Sequence, residues 1–414
     1  MEHPHLLATF RSGEELLPAN KDYMDLPAGA KLAHLPGRLP VGVDSRTGKL
    51  ELLDMISANG RSFVPHAVGA LLPPGYTRTF LPGEVKSGGV VLPQWAYAAA
   101  AWSRRRAVTW ALRTDRRAHW EPDKFSTAEL GPRIAAHRAA LPGNRVLVQL
   151  QTCALAYRCF TSQNIFYERD EGAIPASVHC NARCVGCLSD QPAGGPPASH
   201  LRISDGPSAE EMADVGARHL SRANGRTMIS FGQGCEGEPL TRYQAIARAI
   251  RLIRERTTRG SININTNGSL PHALGALLDA GLDAIRVSLN SAAPDLYAAY
   301  YRPVGYGLEH VEESLRLARE RGAYVALNLL LFPGVTDREG EVAALQELVG
   351  RHRIDQIQTR SLCIDPMQYL DVARGLGAGG RPLGVRRMLT ALRRSAPWLS
   401  IGNFARAIGE RRAA

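Results

Sequence analysis

The chain has no uninterrupted run of about 18 apolar residues, so no membrane-spanning helix is expected. Its first residues, Met1-Glu2-His3-Pro4-His5, lack the basic stretch and apolar core of a secretory leader. Cysteine is sparse: 7 in 414 residues do not make a disulfide framework. These absences fit a reduced compartment, and the expected location is cytoplasmic with no membrane partner. Acidic residues are the minority charge, 39 Asp and Glu against 50 Lys and Arg, and the net charge is +11. The excess is uneven. It gathers at Arg104-Arg105-Arg106 with Arg113, Arg116 and Arg117, and again at Arg381, Arg386, Arg387, Arg393, Arg394, Arg406, Arg411 and Arg412 against Glu410. Basic faces attract polyanions. No aromatic-interleaved or RNA-binding motif accompanies the charge, so nucleic acid stays an open but disfavoured partner, and solvated arginine-rich helix faces are the preferred reading.

What is present divides into three parts. Residues 1–170 read as a mixed α/β N-terminal domain of unknown role. Pro-Gly pairs punctuate it at Leu35-Pro36-Gly37, Leu72-Pro73-Pro74-Gly75 and Leu81-Pro82-Gly83. Short strands are expected at Leu39–Val43, Lys49–Leu53, Val90–Leu92 and Ala107–Leu112, with Ser45-Arg46-Thr47-Gly48 as a hairpin turn. Helices are expected at Trp95–Arg105 and Thr127–Ala140, and a buried strand at Val146–Leu150. Trp95, Trp102, Trp110 and Trp120 read as core.

From residue 171 to about 370 strand and helix alternate. Strands read at 174–179, Met228–Gly232, Ser261–Asn265, Ala284–Leu289, Val325–Phe332 and Ile354–Arg360. Helices read at Ser208–Ala223, Arg242–Thr257, Pro271–Ala280, Leu308–Arg321 and Thr336–Gly350. Repeated βα units imply a parallel sheet under helices. Six are too few to close an eight-stranded barrel. The fold class is therefore α/β, a partial (βα)6 barrel preceded by the N-terminal domain. Residues 371–414 read as a basic helical tail, entered through the glycine-rich run at 375–380.

The chemistry centres on Ser177-Val178-His179-Cys180-Asn181-Ala182-Arg183-Cys184-Val185-Gly186-Cys187. Cys180, Cys184 and Cys187 stand at C-x3-C-x2-C spacing behind the first βα strand. In such folds ligands sit at the C-terminal ends of strands, so this loop falls on that face. Three thiolates from one loop hold three corners of an iron–sulfur cube and leave one iron open. The other reading is a structural zinc site with His179 as fourth ligand, but His179 adjoins Cys180, which makes chelation of one ion by both awkward.

This loop resembles the cluster loop of the radical S-adenosylmethionine (radical SAM) superfamily. The resemblance implies a 4Fe-4S cluster on the three cysteines and S-adenosylmethionine on the fourth iron. It also implies reductive cleavage to a 5′-deoxyadenosyl radical. It covers about residues 171–370. The residue before the last cysteine is often aromatic in that family and packs near the adenine; here it is Gly186, so the adenine contact is unassigned.

The strand ends extend the resemblance. Gly237-Glu238-Pro239 is similar to the family's Gly-Gly-Glu-Pro turn, which binds the cofactor's amino group, with Glu236 in place of the first glycine. A glycine-rich turn exposes carbonyls to an ammonium, and a carboxylate adds charge. Glu236 reads either as a substrate contact or as a solvated acid. Thr266 and Asn267 after the third strand, and Ser288 and Asn290 at the fourth, complete the cofactor-binding set that the resemblance implies. Backbone from Phe332 to Val335 is a candidate adenine contact. Gln358 and Arg360 share one face of the sixth strand and are candidate substrate contacts. Tyr300-Tyr301-Arg302-Pro303 with Tyr306 reads as a packed loop or as an anion site.

The expected function is a radical SAM enzyme that abstracts hydrogen from an unknown substrate, served by an external one-electron donor of flavodoxin or ferredoxin type. One alternative is radical methyl transfer to RNA, with Cys363 as methyl acceptor. The other is a zinc-stabilised nucleic-acid-binding protein using the same cysteines. A single cluster is expected, with Cys153, Cys159, Cys235 and Cys363 outside it.

Overall fold

A computed structural model describes residues 6–58, 60–116, 127–192, 195–222, 227–406 and 408. The five N-terminal residues, Arg117, Trp120, Ala193, Gly194, Ala223, Glu410, Arg411 and Arg412 lie outside the described residues.

The centre of the molecule is a seven-stranded parallel sheet whose strands follow chain order. They are Glu171–Ile174, Met228–Phe231, Ser261–Thr266, Ala284–Leu289, Tyr324–Leu331, Gln356–Ser361 and Ser400–Gly402. Helices Ala209–Arg222, Tyr243–Arg256, Pro271–Asp279, Leu308–Glu320 and Glu339–Arg351 cross between them. This is the expected partial α/β barrel with one short strand more. The seventh comes from the tail: after helix Val385–Ser395 the chain returns and pairs Ser400–Gly402 in parallel with Gln356–Gln358.

The first strand is displaced from its expected span. Its ladder runs over Glu171–Ile174 and stops at Pro175, which has no N–H to donate, so 175–179 is an extended lead-in to the cysteines. Val146–Leu150 is also corrected. It opens helix Arg145–Leu155, whose first turn is capped by the Asn144 side chain accepting from Leu147 N. Val146, Leu147, Leu150, Cys153 and Ala154 are buried, a helical spacing that a five-residue window cannot reveal. Leu130, Ile134, Leu150 and Phe166 share one continuous core with the barrel.

Residues 6–113 form antiparallel ladders only. Val90–Leu92 joins none of them. Trp95–Arg105 is not helical: Tyr97–Ser103 is a strand between Ala67–Leu71 and Arg106–Thr109. Four alanines favour helix by propensity, but Arg104 and Arg105 both adopt positive φ (46° and 65°) and make the two-residue hairpin turn that fixes Ser103 opposite Arg106. Trp110 is core, whereas Trp95 and Trp102 are 46% and 69% exposed, against expectation.

The β domain docks on the barrel's fifth and sixth strands and on the cysteine loop. Buried Arg38 pairs with Asp365 at 2.6 Å and with Glu84 at 3.5 Å. Thr77 Oγ1 lies 2.7 Å from Thr359 Oγ1, and Arg78 donates to the Leu362 carbonyl at 2.8 Å. Gly13 N donates to the Pro333 carbonyl at 3.0 Å. Among the described residues, no helix is long and apolar enough to cross a membrane.

Candidate active site

A cavity of about 460 Å³ opens at the C-terminal ends of the strands, and Cys180, Cys184 and Cys187 stand together on its wall. The cysteine loop is held from two sides. On one side Arg183 N donates to the Tyr301 carbonyl at 3.0 Å and Val185 N to the Tyr300 carbonyl at 2.9 Å; Val304 N donates back to the Asn181 carbonyl at 2.9 Å. The Tyr300-to-Pro303 segment is thus packed, the end of helix Pro294–Tyr301 and the turn after it, and its backbone pairs with that of the cysteine loop. On the other side Gly237 N donates to Ser177 O and Glu238 N to His179 O, at 2.8 and 2.7 Å. A Cβ on Gly237 would collide with the His179 carbonyl, so this approach requires glycine.

The three thiols share this wall in different surroundings. Cys187 Sγ has the Arg202 guanidinium at 3.7 Å, a positive charge beside a prospective thiolate. Gln94 from the β domain and Gln191 both donate to the Cys187 carbonyl, at 2.8 and 2.6 Å. Burial, with two other thiols alongside, pushes the Cys184 thiol well up, so loss of its proton calls for a metal's charge.

The two acids after the second strand have separate tasks. Glu236 is neither a solvated acid nor a free side chain. It is 5% exposed, and its carboxylate accepts from Ala176 N, Ser177 N and Gln233 N, each at 2.7 Å. It staples the entry to the cysteine loop onto the second-strand turn. Burial raises its carboxyl to about 8 despite those donors. Glu238 accepts from Leu240 N, Thr266 Oγ1 and Asn267 N, and burial raises it to about 7. Asn267 in turn donates from Nδ2 to Asn181 Oδ1 at 2.9 Å. Thr266 and Asn267 therefore spend their side chains joining the second and third strand ends to the cysteine loop.

Gly237, Glu238, Pro239, Thr266, Asn267 and Ser288 all line the cavity with the cysteines. Asn290 does not: it lies past the end of its strand, where alternation no longer holds, and donates to Leu296 O and Tyr369 Oη. The backbone from Phe332 to Val335 is also elsewhere. Phe332 N is taken by Thr336 Oγ1, Gly334 N by Asp337, and the Pro333 carbonyl by Gly13. Cys363 lies outside the cavity wall, its thiol 3.5 Å from the Ser361 carbonyl. Arg360 lines the wall; its neighbour Gln358 is fully buried beneath it.

Sequence reasoning missed Glu171, Arg286, Asn265 and Asn328, which also line the cavity. Their signal was present: Asn263-x-Asn265, Arg286-x-Ser288 and Gln358-x-Arg360 put polar residues at period two in strands otherwise rich in Ile, Val and Leu. Those positions face the barrel interior and make it polar.

Residues 174–345 match the model of the Radical SAM superfamily. Among curated proteins, the chain is 26% identical over 178 residues to the FeMo cofactor biosynthesis protein NifB of Klebsiella pneumoniae, covering 40% of this chain and 37% of that one. It is 32% identical over 165 residues to the GTP 3′,8-cyclase of Alkaliphilus metalliredigens, covering 39% and 47%. The chain thus spans less than half the length of these two relatives. Among solved structures, a radical SAM methyltransferase from Sphaerobacter thermophilus aligns at TM-score 0.38 and 20% identity, over 56% of this chain and 65% of that one. The family match overturns the alternative of a zinc-stabilised nucleic-acid-binding protein.

Proposed function

Residues 174–345 belong to the radical SAM superfamily, and from that premise we propose that the whole chain is an enzyme that cleaves S-adenosylmethionine reductively and abstracts hydrogen from its substrate. The 4Fe-4S cluster and S-adenosylmethionine are the cofactors of that family; when bound, they supply a carbon radical strong enough to take an unactivated hydrogen. The observation that carries the reading is the shared cavity. Cys180, Cys184 and Cys187 line it with the Gly237-Glu238-Pro239 turn, and two backbone hydrogen bonds tie that turn to the cysteine lead-in.

The residues divide the work as follows. Cys180, Cys184 and Cys187 hold three irons. The turn at Gly237 to Pro239 presents its backbone to the cofactor's ammonium, and Glu238, whose oxygens are engaged by three donors, positions that turn. Thr266 and Asn267 brace it, and Ser288 offers a hydroxyl to the cofactor from the fourth strand. The β domain reaches the cluster loop through Gln94, which donates to the Cys187 carbonyl and steadies it. The electron comes from an external donor of flavodoxin or ferredoxin type, and we place the protein in the cytoplasm, where its thiols stay reduced.

The test is anoxic reconstitution with iron and sulfide, then reduction in the presence of S-adenosylmethionine. Brown protein absorbing near 400 nm, with about four irons per chain and release of 5′-deoxyadenosine, is the expected outcome. Cys184→Ala should lose both iron and cleavage. Full cleavage by that variant, or colourless wild-type protein without iron, would refute the proposal.

A further inference from the structure

The cavity wall carries three acids, Glu171, Glu236 and Glu238, and two arginines that differ in how directly they are paired. Two guanidiniums, Arg286 and Arg360, line the cavity together with Glu171. Glu171 is already committed: Oε1 accepts from Arg286 Nη1 at 2.8 Å and from Ser230 Oγ at 2.5 Å. Arg360 has only neutral partners among the described residues. Its Nη2 donates to Gln358 Oε1 at 2.6 Å, and its Nε reaches Asn328 Oδ1 at 3.4 Å.

Among the described residues no acid makes a direct ion pair with Arg360; Glu171 and Asp115 act on it only at longer range. Glu236 and Glu238 are held by the donors described above. Asp115 accepts from the backbone N–H groups of Asn403 and Phe404. Two buried donors beside the guanidiniums, Gln358 Nε2 and Arg286 Nε, have no acceptor. Gln358 is fully buried and Arg286 is 4% exposed. Burial and the neighbouring Arg286 lower Arg360 to about 10, which leaves it charged at neutral pH.

A guanidinium without a direct carboxylate partner, beside unmet donors on the cavity wall, is stabilised when an anion joins it. Its planar fork suits the two oxygens of a carboxylate or phosphate. The sixth strand also lies two strands beyond the one that carries Ser288, so Arg360 is set apart from the second-, third- and fourth-strand residues assigned to the cofactor. We propose that Arg360, with Gln358 beside it, receives an anionic group of the substrate, a carboxylate or a phosphate. This rests on the function proposed above, since it takes the cavity to be the place where the substrate meets the radical.

Reconstituted holoenzyme is titrated anoxically with pyrophosphate, with succinate and with neutral succinamide at constant ionic strength, by calorimetry. At least one anion should bind about tenfold or more tightly than succinamide, and Arg360→Gln should remove about that factor, the worth of one charge-assisted pair. Arg360→Lys, which keeps the charge and loses the fork, should retain an intermediate affinity. Preference for pyrophosphate marks a phosphate-bearing substrate, and preference for succinate a carboxylate-bearing one. Equal binding of all three probes overturns the proposal. So does an Arg360→Gln variant that loses more affinity for S-adenosylmethionine than for the anion, because Arg360 would then hold the cofactor. Arg360-dependent anion binding in a protein that releases no 5′-deoxyadenosine would keep the anion site and refute the radical chemistry instead.

Discussion

The hydroxyl of Tyr300 lies 2.8 Å from the point a Cβ on Gly186 would occupy. The glycine at a position that is often aromatic in this superfamily is therefore matched by an aromatic brought from the helix after the fourth strand. Tyr300 is 3% exposed and packs edge-on against Tyr301, which itself lines the cavity. Gly186→Ala should strain the loop by about 1–3 kcal/mol, and Tyr300→Phe should relieve most of that strain. Iron content and thermal stability of the two single variants and the double variant check this. Strictly additive effects would show that the two residues do not meet.

Glu236→Gln should destabilise the cysteine loop. Its carboxylate faces backbone N–H groups on both oxygens, so an amide sets a donor against a donor. A loss of about 1–3 kcal/mol is expected, with lower iron occupancy after reconstitution. Glu236→Gln with wild-type iron and stability would remove the staple from this account.

Arg38 is fully buried between Asp365 and Glu84 at the junction of the β domain and the barrel. Arg38→Ala leaves two acids buried without their cation, and about 3–5 kcal/mol of stability should be lost, measured by chemical denaturation. If the β domain were merely tethered, the barrel's transition would not move.

His219 sits on the helix behind the first strand, 1% exposed, with Nε2 3.2 Å from the Asp170 carbonyl. Burial lowers it to about 4. A base depressed in the folded state is neutral there while the unfolded chain takes up a proton near 6.5. Its stability contribution is therefore complete above about pH 6.5 and is lost as pH falls toward 4, by at most about 1.4 kcal/mol per unit. His219→Gln should flatten the stability curve in that window. An unchanged slope would locate the acid sensitivity elsewhere.

The sequence by itself determined what depends on short range. Cysteine spacing within one loop is a local fact, and so is the order of βα units, because apolar periods of two and of 3.6 persist in strands and helices this long. The polar alternation that makes the barrel lumen hydrophilic was also written in the strands, at Arg286-x-Ser288 and Gln358-x-Arg360. Short apolar stretches were ambiguous, and there tertiary context chose: Val146–Leu150 became helix against the barrel, and the alanines of Tyr97–Ser103 became strand between two partners.

Only the tertiary structure decided which charges are satisfied. Whether Glu236 is a surface acid or a staple depends on Ala176 and Ser177, about sixty residues away. That Gly186 leaves room for Tyr300 depends on a helix from a different βα unit. That Arg360 lacks a carboxylate depends on Glu171 having gone to Arg286, which no spacing along the chain expresses. Hydrogen bonds and ion pairs act over a few ångströms in space, whereas a sequence pattern reports neighbours along the chain. The cysteine trio was legible for that reason, and the polar partners around it were not.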